Sequence, residues 1–322
     1  MKDEVDWITD ALSSKNIARE MTHYRVEGGE IRATDGRLTA GHPFSHPGPF
    51  LVPGSEFEKL VRRMPDDCTV TVNADNIVLR SGRSSGTIKT LPVEQWGYPG
   101  IDEDGWQDAP EGLIAVLKKM RPFVASDATK AWALGVALEY GYAYATNNIA
   151  VAGARIDSIG DIRAILPVWA VDFIIDREEG LTDWQWTESY VAFRWASGAW
   201  MRAQLINERF PEQASALVRS LENYVPPQVI TDEFRAAFNK AVDLCEGAIH
   251  ISNTHIGGTF GQANFQDGVE VDTLEEGMHT IWASKYLKPV IAEATHWEPS
   301  SWPGKANFRG EHLFGIILGR RE

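Results

Sequence analysis

From Phe50 to Pro99 the spacing of apolar positions changes period once, and the rest of the chain repeats that change. Between Ser55 and Met64, Phe57, Leu60, Val61 and Met64 recur at helical spacing, which predicts a helix with Glu56, Lys59, Arg62 and Arg63 on its opposite face. Pro65-Asp66-Asp67 ends it. The period then drops to two. Thr69–Val72, Ile77–Arg80 and Gly86–Leu91 read as strands, separated by turns at Asn73–Asn76 and Ser81–Ser85. The resulting unit is a helix followed by a three-stranded meander.

The same unit recurs from Ala164 and, in shorter form, from Thr280 to the strand HLFGIILGR. Pro53 corresponds to Pro167 and then to Ala283, at offsets of 114 and 116. The segments upstream of each unit repeat as well: ATDGRLTAG (Ala33–Gly41) and ATNNIAVAG (Ala145–Gly153) lie 112 residues apart. Three copies of about 110 residues are therefore expected, bounded at 1–103, 104–222 and 223–322. Each copy reads as two helix-plus-strands halves, which predicts an α+β fold with two helices packed on antiparallel sheets in every copy.

The remaining elements follow the same logic. The first helix runs from Val5 to about Ile17, and strands follow at 23–26, 30–34 and 37–40. A second helix is expected from Pro110, with Leu113, Val116, Leu117 and Met120 inward and Lys118, Lys119 and Arg121 away from the core. Ala131–Tyr140, Tyr142–Thr146 and Ile149–Ala154 read as strands. The helix Val168–Ile175 carries Asp172 and no cation before Arg177. Leu217–Pro227 reads as a linker, and Thr231 as the N-cap of a helix bearing Phe234, Ala237, Phe238 and Ala241 on one face and Arg235 and Lys240 nearer the other. A final helix, Ser284–Ala294, bears Lys285 and Lys288.

Composition narrows the class. The chain has 322 residues and a formal net charge of −14, which by itself opposes a generic nucleic-acid coat unless the cations are segregated on one surface. Its two cysteines, Cys68 and Cys245, fit neither a zinc ribbon nor a disulfide framework, and a reducing cytoplasm is the expected location. No apolar run approaches membrane-spanning length, and the acidic start MKDEVDWITD does not suit a signal peptide.

VLRSGRSSGTIKTLPVEQW (Val78–Trp96) closely resembles the end of the first domain of bacterial sliding clamps, the beta subunit of DNA polymerase III, where a strand ending in R-S-G-R-S precedes one closing on T-L-P. Ala145–Val151 is similar to that family's A-T-D-G-H-R-L element, and Asn207–Pro211 to its D-G-R-F-P element. The resemblance covers the chain in order as three copies. It implies a non-enzymatic processivity factor without cofactor: a head-to-tail homodimeric ring whose helices line a hole around duplex DNA. It also implies two further partners, a replicative DNA polymerase and an ATP-driven clamp loader.

On that resemblance, Lys59, Arg62, Arg63, Lys118, Lys119, Arg121, Arg235, Lys240, Lys285 and Lys288 are the candidate DNA lining, attracting phosphate without reading bases. The partner-peptide groove carries over to Thr146, Asn148, Ile149, Val151, Pro211, Ile316, Ile317, Leu318 and Arg320. The dimer contact carries over to Ile88 and Leu91 on an edge strand, meeting a helix with Phe238 and Leu244. The sequence departs from the family pattern where Asn148-Ile149-Ala150 replaces Gly-His-Arg and Ile317-Leu318-Gly319-Arg320 replaces Met-Pro-Met-Arg.

Other signals point away from chemistry. Gly82-Arg83-Ser84-Ser85-Gly86 fits the G-x-S-x-G pattern of hydrolases, but it sits between two strands where the nucleophile needs a strand-turn-helix setting. His42 and His46 are four apart, yet Pro43 and Pro47 preclude the helix that would align them on a metal. No catalytic or metal site is expected. Twelve tryptophans define the rival class, a non-ring carbohydrate- or single-strand-binding module with exposed aromatics. The alternation Trp184-Gln185-Trp186 instead places both rings on one sheet face, most simply the core.

Overall fold

The computed structural model describes residues 1–15, 18–177, 180–245 and 247–320. The first copy contains α1 (Lys2–Ile8), β1 (His23–Glu27), β2 (Glu30–Thr34), β3 (Leu38–Pro43), β4 (Phe50–Pro53), α2 (Gly54–Arg63), β5 (Thr69–Val72), β6 (Asn76–Ser81) and β7 (Ser84–Lys89). The second contains β8 (Gln107–Asp108), α3 (Leu113–Met120), β9 (Gly135–Glu139), β10 (Tyr142–Thr146), β11 (Ala150–Arg155), β12 (Arg163–Pro167), α4 (Val168–Ile175), β13 (Leu181–Trp186), β14 (Tyr190–Trp195), β15 (Trp200–Gln204) and α5 (Glu212–Arg219). The third contains β16 (Gln228–Val229), α6 (Asp232–Leu244), β17 (Ala248–Ser252), β18 (His255–Phe260), β19 (Ala263–Gly268), β20 (His279–Ala283), α7 (Ser284–Glu293), β21 (His296–Trp297), β22 (Lys305–Arg309) and β23 (Phe314–Leu318).

Every copy thus repeats helix, four strands in Greek-key order, helix, three-stranded meander; the two helix-plus-strands halves are the ones expected, and the fourth strands β4, β12 and β20 are additions to them. The four-stranded halves share one order, β4-β1-β2-β3, β12-β9-β10-β11 and β20-β17-β18-β19. All pairings are antiparallel. Two of these halves are extended by a three-stranded half from the following copy, β3 pairing with β15 and β11 with β23, and with the short strands β8 and β16 at the far edges this gives two eight-stranded sheets. The halves β5-β6-β7 and β19-β18-β17-β20 stand as separate sheets.

This sharing of sheets decides how the chain divides. One compact unit is Met1–Ala109 with Asp176–Leu205, and the other is Pro110–Ile175 with Ile206–Glu322. The division runs through the second copy because each half of that copy is hydrogen-bonded into a neighbour's sheet.

The repeat holds at the level of single turns. In β2–β3, the Thr34 hydroxyl donates to Leu38 O at 2.8 Å and accepts from the Gly36 amide, while Asp35 Oδ1 accepts from the amides of Arg37 and Leu38. In β10–β11, Thr146 donates to Ala150 O at 2.8 Å and accepts from the Asn148 amide, and Asn147 Oδ1 accepts from Ile149 and Ala150. Both turns need a left-handed residue, supplied by Gly36 (φ +88°) and Asn148 (φ +69°).

The first unit is centred on Tyr24, Phe50 and Phe57, with ring centroids 6.0 and 6.2 Å apart. The second has a stacked Phe123–Phe308 pair and, in its third-copy part, Phe234, Trp282 and Trp297 wholly buried together. Trp184, Trp195 and Trp200 are also core residues. Trp186 is not: it is 40% exposed at the last position of β13, past the two residues that pair with β8.

Four expectations change. The helix α1 ends at Ile8 and passes through a 3-10 turn at Thr9–Ala11, because Leu12 turns inward against Gly54 at the start of α2; Ile17, its expected end, lies outside the described residues. The helix α3 begins at Leu113, since Gly112 adopts φ +76°. Ala131–Leu134 is a 3-10 turn rather than the start of a strand. The expected linker Leu217–Pro227 begins inside a helix: α5, started by Pro211 and anchored by buried Val218, runs to Arg219.

Candidate nucleic-acid interface and peptide groove

The expected groove residues converge in the second unit, where β11 and β23 run side by side. Val151 pairs with Ile316 and Gly153 with Phe314. A Cβ on Gly153 would lie 2.6 Å from Val218 Cγ1 and 3.3 Å from the rings of Phe314 and Tyr144, so α5 packs directly on this face and only glycine fits beneath it. Tyr144, Phe210, Val218 and Phe314 form a buried floor. Tyr144 stacks on Phe210 at 5.6 Å, and Trp132 meets the same ring edge-on at 5.7 Å. Val151, Trp132, Ile206 and Ala214 remain partly open above the floor. Leu318 is 44% exposed and its amide donates to Ile149 O at 2.9 Å, which brings the 149 turn to the end of β23.

Alternation along the strands sorts the expected residues. Ile316 and Leu318 share the Phe314 face toward α5. Ile317 pairs with Ala150 on the opposite face and is 1% exposed, so it belongs to the core and not to the groove. The Thr146 hydroxyl is engaged inside the turn, as Thr34 is in the first copy, and Asn148 serves the same turn through its backbone. Pro211 is the N-cap of α5, and Arg320 is exposed beyond β23. Trp132 and Val218 were missed by sequence reasoning, since one sat in a strand-like run and the other in a supposed linker. Phe210-Pro211 followed by Glu212 was the available signal for the helix.

The polar edge of this sheet shows the effect of burial. Tyr142 donates to Glu222 at 2.8 Å, and burial together with that carboxylate pushes its phenol up. Burial raises the Glu139 carboxyl despite Arg163 directly opposite on β12. The Tyr144 hydroxyl, buried without a hydrogen-bond partner, is pushed well above its ordinary value. None of these groups is arranged as an acid/base or nucleophile pair. Ser84 opens β7, with no helix following the turn, so it lacks the hydrolase setting. Among the described residues no cluster of His, Cys, Asp or Glu could hold a metal.

No family model matches the chain. Over 96 residues it is 30% identical to the beta sliding clamp of Haemophilus influenzae, a stretch covering 29% of this chain and 25% of that protein. A DNA polymerase sliding clamp from Bacillus subtilis superposes with TM-score 0.82 at 16% identity, covering 100% of this chain and 97% of that one. The chain has the sliding-clamp fold. The sliding clamp from Pseudomonas aeruginosa bound to griselimycin (TM-score 0.80, 15% identity, 100% and 97% covered) and the Helicobacter pylori beta clamp bound to a DNA ligase peptide (0.77, 14%, 99% and 97%) share it.

Within that clamp fold the helices are two-faced. In α2, Phe57 and Val61 are buried while Lys59, Arg62 and Arg63 are exposed. In α7, Leu287, Val290 and Ile291 are buried while Lys285 and Lys288 are exposed. Lys118 is exposed on α3, and Lys119 is half-buried. Several expected cations are already engaged. Arg62 pairs with Asp6 at 2.8 Å and Glu58 at 2.9 Å, and Lys240 pairs with Asp267 at 2.9 Å. Arg121 grips Asp172 with two hydrogen bonds, so the one polar residue of α4 removes positive charge instead of adding it. Arg235 donates to Ala292 O and Ala294 O at the end of α7, a structural role. Arg177 is tied to Trp7 O and Asp10. Lys59, Arg63, Lys119, Lys285 and Lys288 have no ion-pair partner among the described residues and are the freest positive charges of the expected lining.

The expected dimer residues separate in the same way. Phe238 is 0% exposed and belongs to the core under α6, and Ile88 turns toward α2 with only 9% exposed. Leu91 donates its amide to Leu51 O, and Leu244 is 46% exposed at the end of α6. What β7 offers outward is its backbone edge, not the Ile88 side chain.

Proposed function

We propose that the chain is a DNA sliding clamp: two copies close head to tail around duplex DNA and tether a replicative polymerase through the α5 groove. The ring is not an enzyme. With no phosphate-binding loop of its own, it depends on a separate ATP-driven loader. Three copies bounded near residues 103 and 222 suit this reading, since two chains would then supply six similar domains.

The observation that carries it is the pattern of sheet seams. The third strand of a four-stranded half pairs with the third strand of a three-stranded half twice within the chain, β3 with β15 and β11 with β23. That leaves one strand of each kind, β19 and β7, with an open edge. Open edges are ready templates for pairing, and a heterologous contact repeated twice closes a two-fold ring. The within-chain seams also give the register. Arg80, Arg194 and Arg309 occupy one position in their hairpins and face Ser85, Trp200 and Phe314. Gly41, Gly153 and Gln266 are likewise equivalent, each two residues before the partner of Glu30, Tyr142 or His255. By analogy with Trp200 opposite Gly41, Ser85 faces Gln266 of the other subunit and Thr87 faces its Asn264.

Cross-strand neighbours stand within disulfide reach. Thr87→Cys combined with Asn264→Cys is therefore expected to yield a covalent dimer on oxidation, visible under denaturing conditions, while either change alone yields none. An oxidised double variant that stays monomeric would refute the seam. The free cations of α2 and α7 support non-specific phosphate contact, and the apolar groove between α5 and β23 supports capture of a short apolar peptide; the Helicobacter pylori beta clamp of the same fold is bound to a DNA ligase peptide.

A further inference from the structure

Both seams inside the chain are closed by an aromatic ring lying on a glycine. Trp200 sits on Gly41, where a Cβ would approach the indole to 2.4 Å. Its Nε1 donates to Glu30 Oε2 at 2.9 Å, and Arg32 stacks on its ring at 5.5 Å. Phe314 sits on Gly153, within 3.3 Å of such a Cβ, and is buried by Tyr144 and Val218. The equivalent positions at the free edges are Ser85 and Gln266, both exposed.

We infer that the seam between subunits is built without the aromatic plug that locks the two seams within each chain, and is weaker for that reason. This rests on the closed-ring reading above. The sheet face that Gln266 shares is correspondingly empty. A cavity of about 430 Å³ lies over it, lined by His250, Ser252, His255, Gly257, Gln266 and His279. In the second copy the same face is filled: Ala137, Tyr144 and Gly153 replace His250, Gly257 and Gln266, and the Phe210–Val218–Phe314 cluster covers them. Apolar rings on glycine hold a seam because parting the strands would return their apolar surface to water. Imidazole, hydroxyl and carboxamide groups keep good partners in water when the strands part, so an unplugged seam loses little on opening. The two kinds of seam share a backbone pairing and differ in this packing.

The test is to install the plug. Ser85→Trp with Gln266→Gly reproduces the Trp200–Gly41 pair, and Ser85→Phe with Gln266→Gly reproduces Phe314–Gly153. All changed side chains are exposed in the single chain. The dimer dissociation constant is measured by sedimentation equilibrium for the wild type, both double variants and each single change. The expected result is a constant at least about tenfold lower in a double variant, equivalent to about 1.4 kcal/mol, with no such gain from the single changes. A wild-type dimer whose constant neither double variant lowers overturns the missing plug and leaves the ring standing. Chains that fail to dimerise in every form overturn the ring reading itself.

Discussion

Gly153 shows how a residue without a side chain can shape a site. Its hydrogen leaves the 2.6 Å space that Val218 occupies, and this lets α5 reach β11 and form a wall of the groove. Gly153→Ala should lower stability by about 1–3 kcal/mol, the usual penalty for overpacking a filled core. Equal urea midpoints for variant and wild type would show that α5 does not press on that strand. His23 makes a separate residue-level test. It is buried, its Nδ1 meets Arg19 O, and desolvation lowers its pKa. The unfolded chain, with a histidine pKa of about 6.5, therefore binds more protons between that value and the lowered one, so stability falls as pH falls across this window. Urea midpoints should drop between pH 7.5 and 5.5, and His23→Gln should flatten part of that drop. An unchanged slope in the variant would contradict the assignment. At this scale the sequence was a partial guide. Thr34 and Thr146 were legible as one repeated turn, whereas Ile317 was not separable from Ile316 and Leu318 until strand register fixed which way it points.

At the scale of elements, the apolar period located most helices and strands to within a few residues. It failed where a short element depended on tertiary contact. Glu212–Arg219 is rich in helix formers but too short to hold alone, and it becomes a helix by burying Val218 on β11. Conversely, α1 stops early because Leu12 finds Gly54. Charge was less legible than shape. The period correctly put Arg62, Arg121, Arg235 and Lys240 away from the core, but it could not show the Asp6, Asp172, Asp267 and carbonyl partners that already hold them. Lys59 and Arg63 on α2 should consequently matter more than Arg62. Changing both to alanine is expected to reduce the slope of log affinity against log salt by roughly 0.9 for each phosphate that is no longer neutralised. Arg62→Ala should change it much less. Equal effects from the two would mean that the ion pairs of Arg62 do not withhold its charge from DNA.

For the whole molecule, the threefold repeat was the most legible feature, and the seams were the least. A one-dimensional repeat gives the order of elements, not which strand edges are left over. The open edges of β7 and β19 follow only once β3 is seen on β15 and β11 on β23. On the proposed ring reading, a chain of net charge −14 would keep DNA by enclosure, which needs little attraction once the ring is shut. The most direct measurement closes the Thr87→Cys, Asn264→Cys variant by oxidation while it is mixed with circular plasmid, and then raises the salt. The ring account predicts that the covalent dimer stays on the circle and is released once a restriction enzyme linearises it. Equal loss of protein from circular and linear DNA at the same salt would contradict it.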